Sequence, residues 1–513
     1  MKKLLLILCL SFNLLCLFGQ NYQIKNVTYN IEGRTREKNI QRKFPIDKSI
    51  IFQNENDFLL YINKIKSDLS NSRIFEKIDI KYDYLNEENE IIPIALTIDL
   101  DESFSFLALP YFKYDSNSGA TFKIKAKDYN FLGSLNEMNL DLNFQLINNE
   151  ETNEKGSQFS LNFDYDHPIS IGSITLTLNN DYSIFYTLGD KEPEWDGKIG
   201  FLLEIPIKDL SLNISFKQGF FNNFDYSVYD DKTYFSEELE LSCPINLNHT
   251  FMYGKIKYTP YTRFIYNWDN NKINIKNTDL SSPLITIGHT FETGKINWHN
   301  NFRKGLSFSI DNNLGYNFKR NEFIPYINFD LYFHHCFENT DNWFLSRLGI
   351  NANLYGFLYI PIKKNKFYYG EQYGDNLRGI RDEQYFSSDI PEFSSEKALS
   401  SFTAITLCLD FPFKLFETNF TKKFFNYFNF ELQVAPFIDI SLGYNRYTKR
   451  YFHPKDGFYT AGMELLVYPL KWSSFTVRGS FGIDMGRFLN IVDTSWRKQV
   501  SLYEFSFGLG LHY

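Results

Sequence analysis

Residues 503–513 read Tyr503-Glu-Phe-Ser-Phe-Gly-Leu-Gly-Leu-His-Tyr513, and this stretch decides how the rest of the chain is read. Tyr503, Phe505, Phe507, Leu509, Leu511 and Tyr513 share one parity, while Glu504, Ser506, Gly508, Gly510 and His512 share the other. Side chains of a strand alternate between its two faces, so one face is wholly apolar and the other small or polar. An antiparallel soluble sheet produces that alternation, and so does a barrel wall with lipid on one side and a lumen on the other.

Working outward from this stretch, the same rhythm recurs back to Phe104, with no amphipathic helix of three turns. Phe159, Leu161, Phe163 and Tyr165 alternate with polar partners, a turn is expected over Asp166–Gly172, and Ile174, Leu176 and Leu178 form the return strand. A second pair flanks Ile207-Lys-Asp209, and longer polar stretches such as Asp190–Gly197 separate other strands. Composition agrees. Aromatic residues are 18% of the 513, with 53 Phe and 35 Tyr, yet the mean hydropathy is −0.33. Barrels that cross a membrane combine a polar average with lipid-facing aromatic residues. Past the first twenty residues no apolar run approaches the roughly 18 residues of a membrane helix. With 53 basic and 61 acidic side chains the net charge is −8, which lacks the basic footprint of a nucleic-acid binder.

Met1-Lys-Lys3 followed by the apolar run Leu4–Phe18 reads as a signal peptide over residues 1–20, cut after Gly19 or Gln20. The alternatives, a short anchor helix and a lipoprotein modified at Cys16, are disfavoured by Ser11 and Asn13 within the run and by the bulky Leu15. Cys243, Cys336 and Cys408 remain beyond it, too few and too widely spaced for a disulfide framework.

Residues 22–102 have another rhythm. Tyr22–Thr28 alternates as a strand toward Gly33, and Thr35 stands as a candidate helix cap ahead of Ile40 and Phe44. Phe58, Ile62, Ile65 and Leu69 fall on one helical face, and Ile78–Tyr84, the polar Asn86–Glu90 and Ile91–Leu100 read as a hairpin. The order is β-α-α-β-β. With Gly33 and the stretch Leu69-Ser-Asn-Ser-Arg-Ile-Phe75-Glu-Lys-Ile78-Asp-Ile80, it resembles a POTRA domain, the polypeptide-transport-associated repeat.

Several words in the barrel segment, residues 104–513, carry a resemblance to the BamA/TamA-type outer-membrane assembly superfamily, also called the bacterial surface antigen family. Leu377-Arg378-Gly379-Ile380 resembles its (V/L)-R-G-(F/Y) word, which in that family sits on the sixth extracellular loop and folds back into the barrel. Phe437-Ile-Asp439 resembles its F-x-D strand, with the following Gly displaced to Gly443. Tyr459–Glu464, Val477–Gly479 and Asp128–Gly133 resemble neighbouring family strands. The terminal stretch ending on Tyr513 resembles the assembly signal of outer-membrane barrels. The resemblance implies that Leu377, Arg378 and Gly379 form an internal latch whose guanidinium pairs with Asp439. It also implies a weak seam between about Phe104–Tyr114 and Leu502–Tyr513, loosened by Gly508 and Gly510.

The expected fold is therefore mainly β: a transmembrane antiparallel β-barrel preceded by one small α+β, POTRA-like domain. If Arg378 follows the eleventh strand, about 25 residues serve each strand before it and about 27 each after it, giving about sixteen strands; fourteen or eighteen stay open. No G-x-S-x-G, P-loop, dinucleotide or HExxH pattern is present, so a non-enzymatic protein without cofactor is expected. His334-His335-Cys336 looks like a metal word, but neighbours in a strand diverge, so no metal site is expected. What the resemblance implies is an envelope assembly or translocation factor in the outer membrane, its N-terminal domain in the periplasm. Its partners would be outer-membrane lipids, extended client polypeptides taken up by the POTRA-like domain, and accessory lipoproteins. Room for a single such domain points to an accessory or divergent member. A passive porin or lipid-transfer barrel, and a surface-exposed binding protein, are the competing readings.

Overall fold

The computed structural model describes residues 20–513, except 87–90, 116–118, 150–153, 190–191, 209, 223–230, 252–253, 276–279, 338–339, 361–369, 372–376, 380–399, 423–424, 473, 498–500, 510 and 512–513. The expected signal peptide lies outside them apart from Gln20, as do Gly510, Tyr513 and most of the Asn86–Glu90 turn. The chain forms two compact units.

The first unit contains β1 (Asn21–Glu32), α1 (Glu37–Lys43), β2 (Ile51–Phe52), α2 (Glu55–Asn71), β3 (Phe75–Tyr84) and β4 (Ile91–Glu102). Its sheet order is β2-β1-β4-β3, with β1 parallel to β4 and the other pairs antiparallel. Phe58, Ile62, Ile65 and Leu69, the helical face read from the sequence, are all buried, against Ile94, Leu96, Ile98 and Leu100. Asn54 caps α2 by accepting from the Asp57 backbone N–H. Thr35 does not cap α1; Arg36 occupies that position without a side-chain cap. Thr35 instead donates through its hydroxyl (2.9 Å) and backbone N–H (2.9 Å) to Glu102, which also accepts from Asn130 at 2.8 Å. A buried carboxylate that collects several N–H and O–H donors outcompetes a marginal cap. Segments Tyr129–Leu135 and Lys471–Ser474 complete this unit. Gly133 packs where a Cβ would lie 2.0 Å from the Arg34 carbonyl oxygen, and Leu135 joins the core.

The second unit is a closed antiparallel barrel. In chain order its strands are Phe106–Asp115, Gly119–Asp128, Met138–Asn149, Glu154–Ile171, Ile174–Thr187, Glu194–Ile207, Leu210–Asn222, Thr233–Phe251, Gly254–Trp268, Leu284–His299, Phe302–Asn317, Glu322–Cys336, Gly349–Tyr359, Thr403–Glu417, Phe430–Asn445, Phe458–Pro469, Val477–Asp484 and Tyr503–Leu509. Two of them, Thr233–Phe251 and Thr403–Glu417, are interrupted at Cys243-Pro244 and at Phe411-Pro412, yet both halves of each pair with the same later neighbour. A walk round the ring thus crosses eighteen strands among the described residues. That corrects the expected sixteen: five strands follow the Arg378 loop as supposed, but thirteen precede it. The earlier strands fit into less chain because several of their turns take two residues. Ile171 pairs with Ile174 across Gly172-Ser173, and His299 with Phe302 across Asn300-Asn301. Gly172 and Asn300 take φ of +62° and +55°, the left-handed conformation that such turns demand. The turn expected over Asp166–Gly172 is strand as far as Ile171. Pro168 is tolerated there because the preceding strand begins at Met138, opposite Tyr165, leaving the Pro168 side without a ladder.

Outward-pointing side chains such as Phe122, Leu142, Phe159, Ile184, Leu239, Ile287, Leu314 and Phe505 are exposed, forming the apolar band of a transmembrane barrel. Inward, polar residues pair with one another: Lys123 with Asp141 at 2.8 Å, Asn143 with Ser160 at 2.7 Å, and Tyr261 with Asp311 at 2.9 Å. Truncating Phe58 to Ala should cost the first unit about 3–5 kcal/mol. In the full-length protein this appears as earlier loss of protease resistance in urea across residues 21–102. Leu60→Ala, at a position 67% exposed, should leave it unchanged.

Candidate functional site

Leu377, Arg378 and Gly379 lie inside the barrel and are buried, with Arg378 5% exposed. They rest against the last five strands. Register aligns Asp410, Phe437, Gly462, Gly482 and Glu504 as directly opposed residues in one transverse row. The Arg378-Gly379 word runs along this row. The guanidinium carbon stands 3.9 Å from the centre of the Phe437 ring, a cation–π contact. Nη1 is 3.7 Å from an Asp410 oxygen and 3.5 Å from one of Glu464. Asp439, two residues along from Phe437 and therefore on the same face, takes the fork: Nε donates at 3.0 Å and Nη2 at 2.6 Å, and the Arg378 backbone N–H adds a third bond at 3.1 Å.

The glycines of the row explain how the loop approaches so closely. Gly379 has φ of +81°, and a Cβ on it would lie 2.8 Å from the Gly482 carbonyl carbon. A Cβ on Gly482 would lie 2.6 Å from the Gly379 Cα. Gly462, beside them, could carry a Cβ only 2.0 Å from the Phe481 carbonyl oxygen. Side chains there would lift the backbone off the wall and break the fork to Asp439. The Gly379 N–H, facing the wall, donates to Glu504 at 3.0 Å.

Asp439 was singled out in the sequence, and it holds the guanidinium here. Asp410, Glu464 and Glu504 were not singled out as partners. A signal for each existed, because each has the parity of the polar face of its strand. Arg478, from the Val477–Gly479 word, points inward with Nη1 3.5 Å from Glu464. The displaced Gly443 leaves Ser441 in the usual glycine position, where its hydroxyl meets that of Thr406 at 2.8 Å. Ile380 and residues 374–376 lie outside the described residues. His334 points inward and hydrogen-bonds Asn351 at 2.8 Å, and Asn351 donates to Asp410 at 3.0 Å. That chain makes His334 part of the wall around the loop, and no cluster of metal-ligating side chains occurs among the described residues.

The closing strand differs from its sequence reading at one end. Tyr503 and Phe505 are outward, 59% and 55% exposed, as the alternation requires. Leu511 instead turns inward and packs against Ala435, Leu466 and Tyr468. Its neighbour strand starts at Val477, opposite Leu509, so among the described residues no ladder on that side reaches Leu511 to maintain the pleat. An apolar patch within the lumen then captures the side chain. It closes a cavity of about 10 Å³, room for about one water, with Trp298, Gln433 and Glu464. The aromatic load is likewise shared: Phe437, Phe458, Phe475 and Trp496 are inside, not in the lipid-facing band.

No protein-family model matches the chain, and no curated protein matches it. Among solved structures it is similar to CdiB from Acinetobacter baumannii (TM-score 0.46, 13% identity, 95% of this chain and 74% of that one). It is also similar to CdiB from Escherichia coli (0.45, 10%, 94% and 76%) and to BamA from Haemophilus ducreyi lacking POTRA domains 1–3 (0.33, 12%, 95% and 85%).

Replacing Asp439 by Ala strands a buried guanidinium, at a cost of about 3–5 kcal/mol. The loop should then leave the lumen, and limited trypsinolysis of the purified protein should yield a fragment beginning at Gly379 that wild type does not give. Gly482→Val should give the same fragment through steric exclusion, with every charge in place.

Proposed function

We propose that the chain is an outer-membrane assembly or translocation barrel of the BamA/TamA kind, acting without catalysis. The observation that carries this reading is the Arg378-Gly379 word seated on the row of the last five strands. A passive pore has no need to seat a guanidinium inside its lumen, forked to Asp439 and flanked by Asp410 and Glu464. A device that must hold one barrel state and release it does, since a paired guanidinium resists solvent only while its partners stay in register. On this reading the latch keeps the C-terminal strands in order. Clients enter at the seam between Phe106–Asp115 and Tyr503–Leu509, where Gly508 has no neighbouring atom within 4 Å of the place a Cβ would take. The signal peptide, if cleaved after export, leaves the α+β unit as the periplasmic, POTRA-like part. In that unit β3 is an edge strand, paired along its length with β4, and such an edge can accept an extended client segment by β-augmentation.

The experiment is deletion of the gene with quantification of the outer-membrane proteome and its lipid asymmetry. Selective loss of other barrels, restored by the wild-type gene but not by Arg378→Ala, is the expected result. An unchanged proteome overturns the reading. A lipid defect alone would favour a lipid-transfer barrel. Absence of any defect together with a large single-channel conductance would favour a porin.

A further inference from the structure

We propose that Glu504 is the positioning residue by which the seated loop controls the closing strand, so that withdrawal of Leu377–Gly379 loosens Tyr503–Leu509. The inference rests on the latch reading above and names the element the latch governs. Three observations carry it. First, Glu504 is the last member of the transverse row: it stands directly across from Gly482, on which the Gly379 backbone lies. Second, the bond between loop and strand runs from a backbone N–H that cannot rotate away to a carboxylate, at 3.0 Å, in a part-buried setting. Such charge-assisted bonds are the strong ones. Third, between Glu504 and Leu511, which packs against Ala435, Leu466 and Tyr468, the described inward face of the closing strand carries no other large side chain. Its described inward residues after Glu504 are Ser506 and Gly508, while Tyr503 and Phe505 point outward and are more than half exposed.

The geometry gives the coupling a direction. Arg378 is held by Asp439, Asp410 and Glu464, on the fifteenth, fourteenth and sixteenth strands of the barrel, and Gly379 follows it rigidly along the row. The eighteenth strand, Tyr503–Leu509, is reached through Glu504. Release of Arg378 therefore removes the Gly379 N–H from Glu504 without touching the ladder between Val477–Asp484 and Tyr503–Leu509. What changes is a carboxylate left facing the lumen without the loop N–H, and a strand free to fluctuate at the seam.

The test is hydrogen–deuterium exchange on the purified full-length protein in lipid nanodiscs, read on peptides covering residues 503–509. Loss of one bond to a charged group should speed exchange there about tenfold in Glu504→Ala. Glu504→Gln, which keeps an acceptor oxygen at the same reach, should restore most of the protection. Arg378→Ala should speed the same peptides as much as Glu504→Ala, and the double variant should add nothing further. Heat-modifiable gel mobility shared by all variants and wild type shows that the barrel is folded. Unchanged exchange in Glu504→Ala, failure of Gln to restore protection, or additive effects in the double variant each overturn the proposal. The latch reading is judged separately by the tryptic fragment beginning at Gly379. If Asp439→Ala, which keeps the Arg378 cleavage site, releases that fragment and exchange at 503–509 in that variant stays at the wild-type rate, the latch stands and the role of Glu504 falls. If Asp439→Ala releases no fragment, the latch reading itself falls, and the coupling built on it falls too.

Discussion

A guanidinium buried inside a barrel is the constraint around which the C-terminal half of this protein is built. Arg378 is removed from bulk water, and an isolated charge there would cost several kcal/mol after relaxation. The fork to Asp439 offsets that cost, and the Phe437 ring adds about 0.5–2 kcal/mol. Asp410 and Glu464 stand at 3.7 and 3.5 Å, outside hydrogen-bond range of Nη1 but close enough to hold the local potential negative. The fork requires both oxygens of one carboxylate in one plane, so position matters more than the number of acids nearby. Position in turn requires the loop backbone to lie flat on the wall. This is why Gly379 faces Gly482.

The two parts of the barrel wall solve the inward-facing problem differently. From Gly119–Asp128 to Glu322–Cys336, inward charges and amides pair across adjacent strands, as in Lys123–Asp141, Lys257–Glu292 at 2.9 Å and Arg263–Glu240 at 2.7 Å. These groups are half-buried and need no third element. From Gly349–Tyr359 to Val477–Asp484 many inward residues, among them Asn353, Thr406, Asp410, Gln433, Asp439, Glu464 and Ser480, are buried, with Leu377–Gly379 and Leu511 packed on the same wall. Contacts there include a non-local insertion, Leu377–Gly379, whereas contacts elsewhere are between neighbouring strands.

Much of the fold was legible in the sequence because strand and helix periods are local. The helical face of Phe58, Ile62, Ile65 and Leu69, and the alternation of Tyr503 and Phe505 against Glu504, needed no tertiary knowledge. Thr35 was misread as a cap because nothing local announces Glu102, nearly seventy residues away. The Asp166–Gly172 turn was misread because Pro168 suggests a break, although a strand whose neighbour has not yet begun accepts proline. Sixteen strands were expected because an even division of residues ignores how short a turn can be.

The sequence by itself determined the alternation that makes a barrel, the α+β unit ahead of it, and the residue types at 377–379 and 439. These depend on side-chain parity and on glycine, which the chain carries at each position. Tertiary structure alone decided that Asp410, Phe437, Gly462, Gly482 and Glu504 form one row, and that Leu511 turns inward. Register between strands is set by pairing over the whole sheet, and a shift of one residue in any of the five strands would send its member of that row to the lipid side. A direction in space common to five strands is written in no single stretch of the chain.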